Sequence, residues 1–244
     1  MGSLTAGAVA LAILAPSYAA PRERPELAVL PSLVLWAWER PVDLRQVGDD
    51  VAVAFLAQTV VLDEAEVRVV PRRQPLKVRP ATPLIAVTRI ESNPRSAIEL
   101  QAAQVTRLAA RIAATAAHVS GIQIDFDARA SERRFYGALL REVRSALGAR
   151  TPMTITALAS WCQSDEWLEG LPIDGAVPML FRMEAGNRGP HAEPLLTAAA
   201  CRGAVGTSLD EPLAFSRRGR RVYVFNPGRW TEETVTRART LGTP

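Results

Sequence analysis

Lysine is almost missing from this chain: Lys77 stands alone among 29 basic residues, and there are only two histidines and two cysteines. With arginine carrying nearly all the positive charge, the net charge of +4 and the pI near 9.7 reflect coding bias as much as phosphate binding. No nucleic-acid partner is expected on that ground. His118 and His191 have no Cys/His cluster around them and no CxxC is present, so neither a zinc site nor a redox motif is indicated. A GxSxG elbow, a P-loop and a GxGxxG turn are also absent, which removes those catalytic templates. No cofactor and no metal are expected. The first twenty residues carry no charged side chain at all. Their apolar run, Ala8 to Ala15, is too short for a comfortable membrane span and is followed by small residues at Ser17 to Ala20. That pattern reads as a secretory leader over residues 1–20, with an uncleaved anchor or a misplaced start codon as the alternatives. A periplasmic or secreted location follows, with no stable membrane span after cleavage.

What the chain does have is ordinary globular composition, 48% hydrophobic and 22% charged, over 244 residues. That length suits one large α/β domain with a sizeable core. One stretch stands out: Gly121-Ile122-Gln123-Ile124-Asp125-Phe126-Asp127 alternates apolar and polar residues and ends in two carboxylates. Period-two alternation is a strand signal, and it puts Gln123, Asp125 and Asp127 on one face, with successive same-face residues roughly 6.5–7 Å apart.

Seven other strand-like segments surround it. They are Leu33 to Glu39, Val51 to Leu62, Leu84 to Glu91, Met153 to Ala159, Gly175 to Phe181, Ala204 to Leu209 and Arg221 to Phe225. Val67 to Val70 reads as an accessory strand. Helices are expected from Asn93-Pro94 to about Ala117, behind a Ser131 cap, over Asp165 to Leu168, over Leu195 to Ala200 and after a Thr231 cap. Pro21 to Pro31 reads as a linker, and Arg217-Arg218-Gly219-Arg220-Arg221 as a solvated loop. Eight strands alternating with helix-length segments predict a single compact (β/α)8 TIM-type barrel over residues 32–244. Its weakest connections are the one after the second strand and the one after the sixth.

A barrel brings its strand ends together at one mouth. The residues placed there are Trp38, Glu39, Gln58, Arg89, Glu91, Asp125, Asp127, Trp161, Arg182, Asp210, Glu211, Asn226 and Trp230. Acids, arginines and indoles in one mouth suit carbohydrate, since rings stack on sugars while carboxylates and amides bind hydroxyls. In an exported chain, Cys162 and Cys201 form an even pair 39 residues apart, poised to form a disulfide, with two buried free thiols as the alternative.

Residues 120–127 resemble the fourth-strand D-x-x-D-x-D-x-E signature of the chitinase-type family 18 glycoside hydrolases. Ser120 and Gln123 stand where that pattern has its first two aspartates, Asp125 at the third and Asp127 at the catalytic Glu. Met179-Leu180-Phe181-Arg182 is similar to that family's M-x-Y-D segment, and Trp230 to its sugar-platform Trp. Closer likeness joins Leu35 to Arg40, Ile122 to Ala128, Ile155 to Cys162, Pro178 to Met183 and Val222 to Pro227. These segments resemble a bacterial family known as domain of unknown function 3142, which implies one barrel domain and assigns no activity.

The resemblance and the residues together imply a monomer acting on a polysaccharide or oligosaccharide. Asp127 is the expected general acid, and Asp125 raises its pKa as a like charge. Glu39, Glu91, Asp210 or Glu211 would supply the second carboxylate. A catalytically silent, lectin-like barrel using the same mouth is the alternative, and a divalent-metal phosphohydrolase is a weaker third.

Overall fold

The computed structural model describes residues 25–163, 165–182, 195–212 and 219–242. The leader, residues 21–24, His191 and residues 217–218 lie outside the described residues. All eight strands form: β1 (Leu33–Ala37), β2 (Val51–Asp63), β3 (Leu84–Ser92), β4 (Gly121–Asp125), β5 (Met153–Leu158), β6 (Gly175–Met179), β7 (Ala204–Ser208) and β8 (Arg221–Phe225). They lie side by side in chain order, each parallel to the next. Strand β1 pairs in parallel with both β2 and β8, so the sheet closes into a barrel. Burial on both faces explains why β1, β2 and β8 read as near-continuous apolar runs rather than as clean alternation.

Helices α1 (Ala102–Ala113), α2 (Arg133–Leu147), α3 (Ala159–Gln163) and α4 (Glu232–Gly242) cover the outside. Val105, Leu108 and Ile112 of α1 and Leu139, Leu140 and Val143 of α2 pack with the outward residues Ile122, Ile124 and Ile155. Val235 and Ala238 of α4 pack with Leu33, Leu35, Val222 and Val224. Thr231 caps α4 as the sequence predicts, its hydroxyl accepting the Thr234 N–H at 3.2 Å.

Several connections depart from the sequence reading. After β2 the chain turns at Glu64, which has φ of 50°, and returns as an antiparallel strand, Glu66–Pro71, which is the accessory strand expected at Val67 to Val70. The helix expected after β2 does not form among the described residues. Pro71, Pro75, Pro80 and Pro83 then deny a helix its backbone donors. Asn93-Pro94 does not start α1. The Asn93 side chain instead accepts the Arg95 N–H and donates to Asp63, both at 2.9 Å. An Asx turn and a helix N-terminus share that dipeptide signature. The helix begins at Ala102, where the Gln104 side chain accepts the Gln101 N–H. Ahead of α2, Glu132 rather than Ser131 holds the entry, accepting the Arg129 N–H at 2.7 Å and pairing with its guanidinium. Only a short 3-10 turn, Ala199–Cys201, forms in the stretch expected as helix from Leu195 to Ala200.

The supposed linker is structural over its described part. Residues Pro25–Val29 form a 3-10 turn that buries Leu27. The Arg221 guanidinium donates to the carbonyls of Leu27, Leu30 and Pro31 at 2.7–3.0 Å, so β8 anchors this segment at the N-terminal end of the barrel. Above it, Trp36 and Tyr223 fill the interior among the small residues Ala52, Ala54 and Ala204. Trp36 fits because β7 carries Gly206, where a Cβ would stand 2.9 Å from the indole.

Candidate active site at the C-terminal mouth of the barrel

At the C-terminal ends of the strands lies a cavity of about 910 Å3. Its charged lining is Arg89, Asp125, Asp127 and Arg182, and its aromatic wall is Trp36, Trp38, Phe181 and Phe225. The alternation in β4 aims Asp125 and, just past the strand, Asp127 into the same space. Register then chooses their neighbours: Arg89 of β3 lies directly opposite Asp125. The Asp125 carboxylate, only 3% exposed, accepts from Arg89 Nη1 at 2.8 Å and from the Thr156 hydroxyl at 2.7 Å. Glu91 takes Arg89 Nε at 3.0 Å, so one guanidinium ties two carboxylates. Burial works against the Arg89 charge, but Asp125 and Glu91 more than offset it and hold the group above its usual range.

Asp127 is different. Among the described residues its carboxylate has no hydrogen-bond or ion-pair partner. The residue is exposed at the rim, yet the surrounding cavity walls strip part of its hydration and the Asp125 charge lies close by, so its pKa is raised, with Arg89 pulling the other way. Two acids two residues apart therefore divide into one fixed by partners and one left unpartnered with a raised pKa.

The aromatic wall is built from contacts between strands. Phe181 and Phe225 stack with their planes 10° apart and centroids 5.8 Å apart, and Trp38 meets Phe225 edge-on. The Arg182 guanidinium lies over Phe225 at 5.3 Å from the ring centroid.

Of the residues the sequence places in the mouth, Trp38, Arg89, Asp125, Asp127 and Arg182 line this cavity. Gln123 sits one layer below, fully buried, accepting the Trp36 indole N–H at 2.7 Å and donating to Thr154. Trp161 is not a sugar platform here. It belongs to α3 and is buried in the outer core, edge-on to Trp167 at 4.9 Å. Trp230 is also buried, its indole N–H bonded to the Trp36 carbonyl at 2.9 Å. Asn226 closes a turn, accepting the Gly228 N–H and donating to the Arg229 carbonyl.

Four expected second carboxylates are engaged outside the cavity. Glu91 holds Arg89, Glu39 accepts the backbone N–H groups of Arg73 and Gln74, Glu211 accepts that of Arg182, and Asp210 takes the Ser208 hydroxyl. The hydroxyl and the charge of Arg182 keep the Asp210 carboxyl below its ordinary range. Gln58 misses the mouth because a bulge between Leu56 and Gln58 shifts it opposite Thr88, to whose hydroxyl it donates at 3.1 Å.

Residues of the lining missed from sequence are Trp36, Thr156, Leu158, Ala159, Ser160 and Phe225, while Met179 and Phe181 were marked only through the M-x-Y-D likeness. Same-face spacing from Trp38 finds Trp36, but nothing local to Thr156 announces that it faces Asp125. Cys162 and Cys201 form a disulfide that ties α3 to the 3-10 turn before β7, with 5.8 Å between their Cα atoms. Among the described residues no three His, Cys, Asp or Glu side chains group to hold a metal, and no helix is long and apolar enough to cross a membrane.

Fold and mouth together define a parallel (β/α)8 barrel with an aromatic, acid-bearing cavity at the end where such barrels keep their chemistry. Residues 80–177 match the model of the family described as a domain of unknown function, DUF3142, a span running from just before β3 into β6. A solved structure with a similar fold is the chitinase domain of the spore coat protein CotE from Clostridium difficile. It is 15% identical with a TM-score of 0.47, covering 89% of this chain and 70% of that one. Among curated proteins none matches the chain.

Proposed function

We propose that the protein is an exported glycan-active barrel that hydrolyses a glycosidic bond in its C-terminal mouth. The observation that carries this reading is Asp127: a carboxylate with a raised pKa and no partner among the described residues, in a cavity walled by Trp38, Phe181 and Phe225. A sugar ring stacks against that wall. Asp127, protonated, delivers its proton to the glycosidic oxygen as the bond to the anomeric carbon breaks; water then adds to that carbon and gives up a proton to the Asp127 carboxylate, which restores the acid. Asp125 keeps lone pairs beyond the two used by Arg89 and Thr156, and its negative charge faces the positive charge that develops on the sugar. Export to the periplasm or beyond is supported by the Cys162–Cys201 bridge, since disulfides persist in oxidising compartments.

A second reading, a glycan-binding barrel without turnover, is favoured by one observation. Among the described residues only two carboxylates line the cavity, and one of them is held by two partners. Reducing-end release from a broad polysaccharide panel, measured for the unaltered protein beside Asp127→Asn, separates the two. In the hydrolase, the substitution lowers turnover by about 10²–10⁴-fold and leaves affinity within a few-fold. Binding without release by either protein establishes the silent barrel instead.

A further inference from the structure

Among the described residues, the charges lining the cavity do not all find carboxylate partners, and the cation left over is Arg182. Arg89 is committed to Asp125 and Glu91 at 2.8 and 3.0 Å. The Arg182 guanidinium, by contrast, holds no carboxylate among the described residues and rests over the Phe225 ring. The acids that follow β7 do not neutralise it by direct pairing: Glu211 accepts the Arg182 backbone N–H at 2.9 Å, and Asp210 is bonded to Ser208. The backbone adds a second observation. Arg182 has φ of 55°, in the left-handed region that a side chain of this size rarely adopts. The carboxylate of Glu211, bonded to the N–H of that same residue, holds the strained turn in place. Strain kept at the wall of a cavity by a dedicated contact points to use of the side chain it positions. A planar guanidinium that no described carboxylate engages, beside a ring that a sugar can stack on, is chemically matched to an anionic oxygen group on that sugar.

We propose that Arg182 receives an anionic substituent of the bound glycan, so that the mouth selects sugars bearing a carboxylate or a sulfate over their neutral counterparts. This rests on the glycan reading of the same mouth and narrows it to a substrate class. Glu211 is the positioning residue that presents Arg182.

The test uses the full chain carrying Asp127→Asn, which removes turnover, with and without Arg182→Gln. Titration calorimetry measures affinity for uronate oligosaccharides, for the same oligosaccharides after carboxyl reduction, and for neutral oligosaccharides with and without sulfation. The expected result is about a ten- to hundredfold preference for an anionic member over its neutral counterpart. Arg182→Gln abolishes the preference, read as the ratio of anionic to neutral affinity within the same variant, and Arg182→Lys, which keeps charge without the fork, retains part of it. Preference in the uronate arm alone identifies a carboxylate, and in the sulfated arm alone a sulfate. Equal affinity for charged and neutral members overturns the proposal while the glycan reading stands, as does a preference that survives Arg182→Gln. Failure of every member to bind sinks the glycan reading and this inference with it.

Discussion

Asp125 and Asp127 show how two identical side chains acquire different chemistry from what surrounds them. Asp125 meets Arg89 across the strand pairing and Thr156 from β5. Asp127, just beyond the last ladder position, has neither. Reduced hydration and the Asp125 charge raise its pKa, so the protonated form persists above the ordinary carboxylate range near 4. A general acid works only while protonated, so kcat/KM falls as pH rises through that raised pKa. A rate profile without an alkaline limb would remove Asp127 from the role. Stability follows the same sign. A carboxyl with a raised folded pKa contributes stability that is present below its unfolded pKa and lost as pH rises through the folded one. Urea midpoints for Asp127→Asn therefore gain on the parent as pH rises across that window and show no such gain in acid.

At the level of strands and helices, the barrel depends on size matching across its interior. Trp36 projects from β1 towards β7, touches Tyr223 and Phe181 and bonds to Gln123, so the indole has little freedom to move. A methyl at Gly206 would stand 2.9 Å from its ring, well inside van der Waals contact. Gly206→Ala is expected to destabilise the protein by about 1–3 kcal/mol. It also shifts the floor of the cavity, read as weakened ligand affinity alongside a lower denaturation midpoint. The strands themselves were legible from sequence, since runs such as Val51-Ala52-Val53-Ala54 and Arg221-Val222-Tyr223-Val224-Phe225 carry enough β-propensity to be found alone. Helix starts were less so. Asn93-Pro94 satisfies a capping pattern that an Asx turn also satisfies, and only the anchoring of the 93–96 loop by Arg129 chooses between them.

For the molecule as a whole, closure and cross-linking set the stability. Arg221 fastens the segment before β1 to β8, joining the two ends of the described chain by three carbonyl bonds. Cys162 and Cys201 close a loop across a separation of 39 residues. In the chain-entropy model that constraint on the unfolded state is worth about 3–4 kcal/mol. Replacing both cysteines with serine is expected to lower the melting temperature by roughly 6–16 °C in calorimetry under oxidising conditions. Reductant added to the unaltered protein gives the same loss, and a melt indifferent to both would mean that the bridge constrains little.

The sequence by itself determined the eight strands, their order, the barrel they imply and the face on which Asp125 and Asp127 lie, because these depend on local periodicity and on the number of repeats. It also placed Arg89, Arg182 and Trp38 at the mouth, since strand ends converge in any closed barrel. Tertiary structure decided which of the thirteen strand-end residues face the cavity and which are spent on structure. Trp161 and Trp230 are buried by elements distant in sequence, Gln58 is displaced by a bulge, and Glu39 and Glu211 are drawn to backbone donors. Each outcome turns on inter-strand register or on packing between segments far apart in the chain. No window of sequence contains both partners of Arg89 and Asp125, of Thr156 and Asp125, or of Trp36 and Gly206.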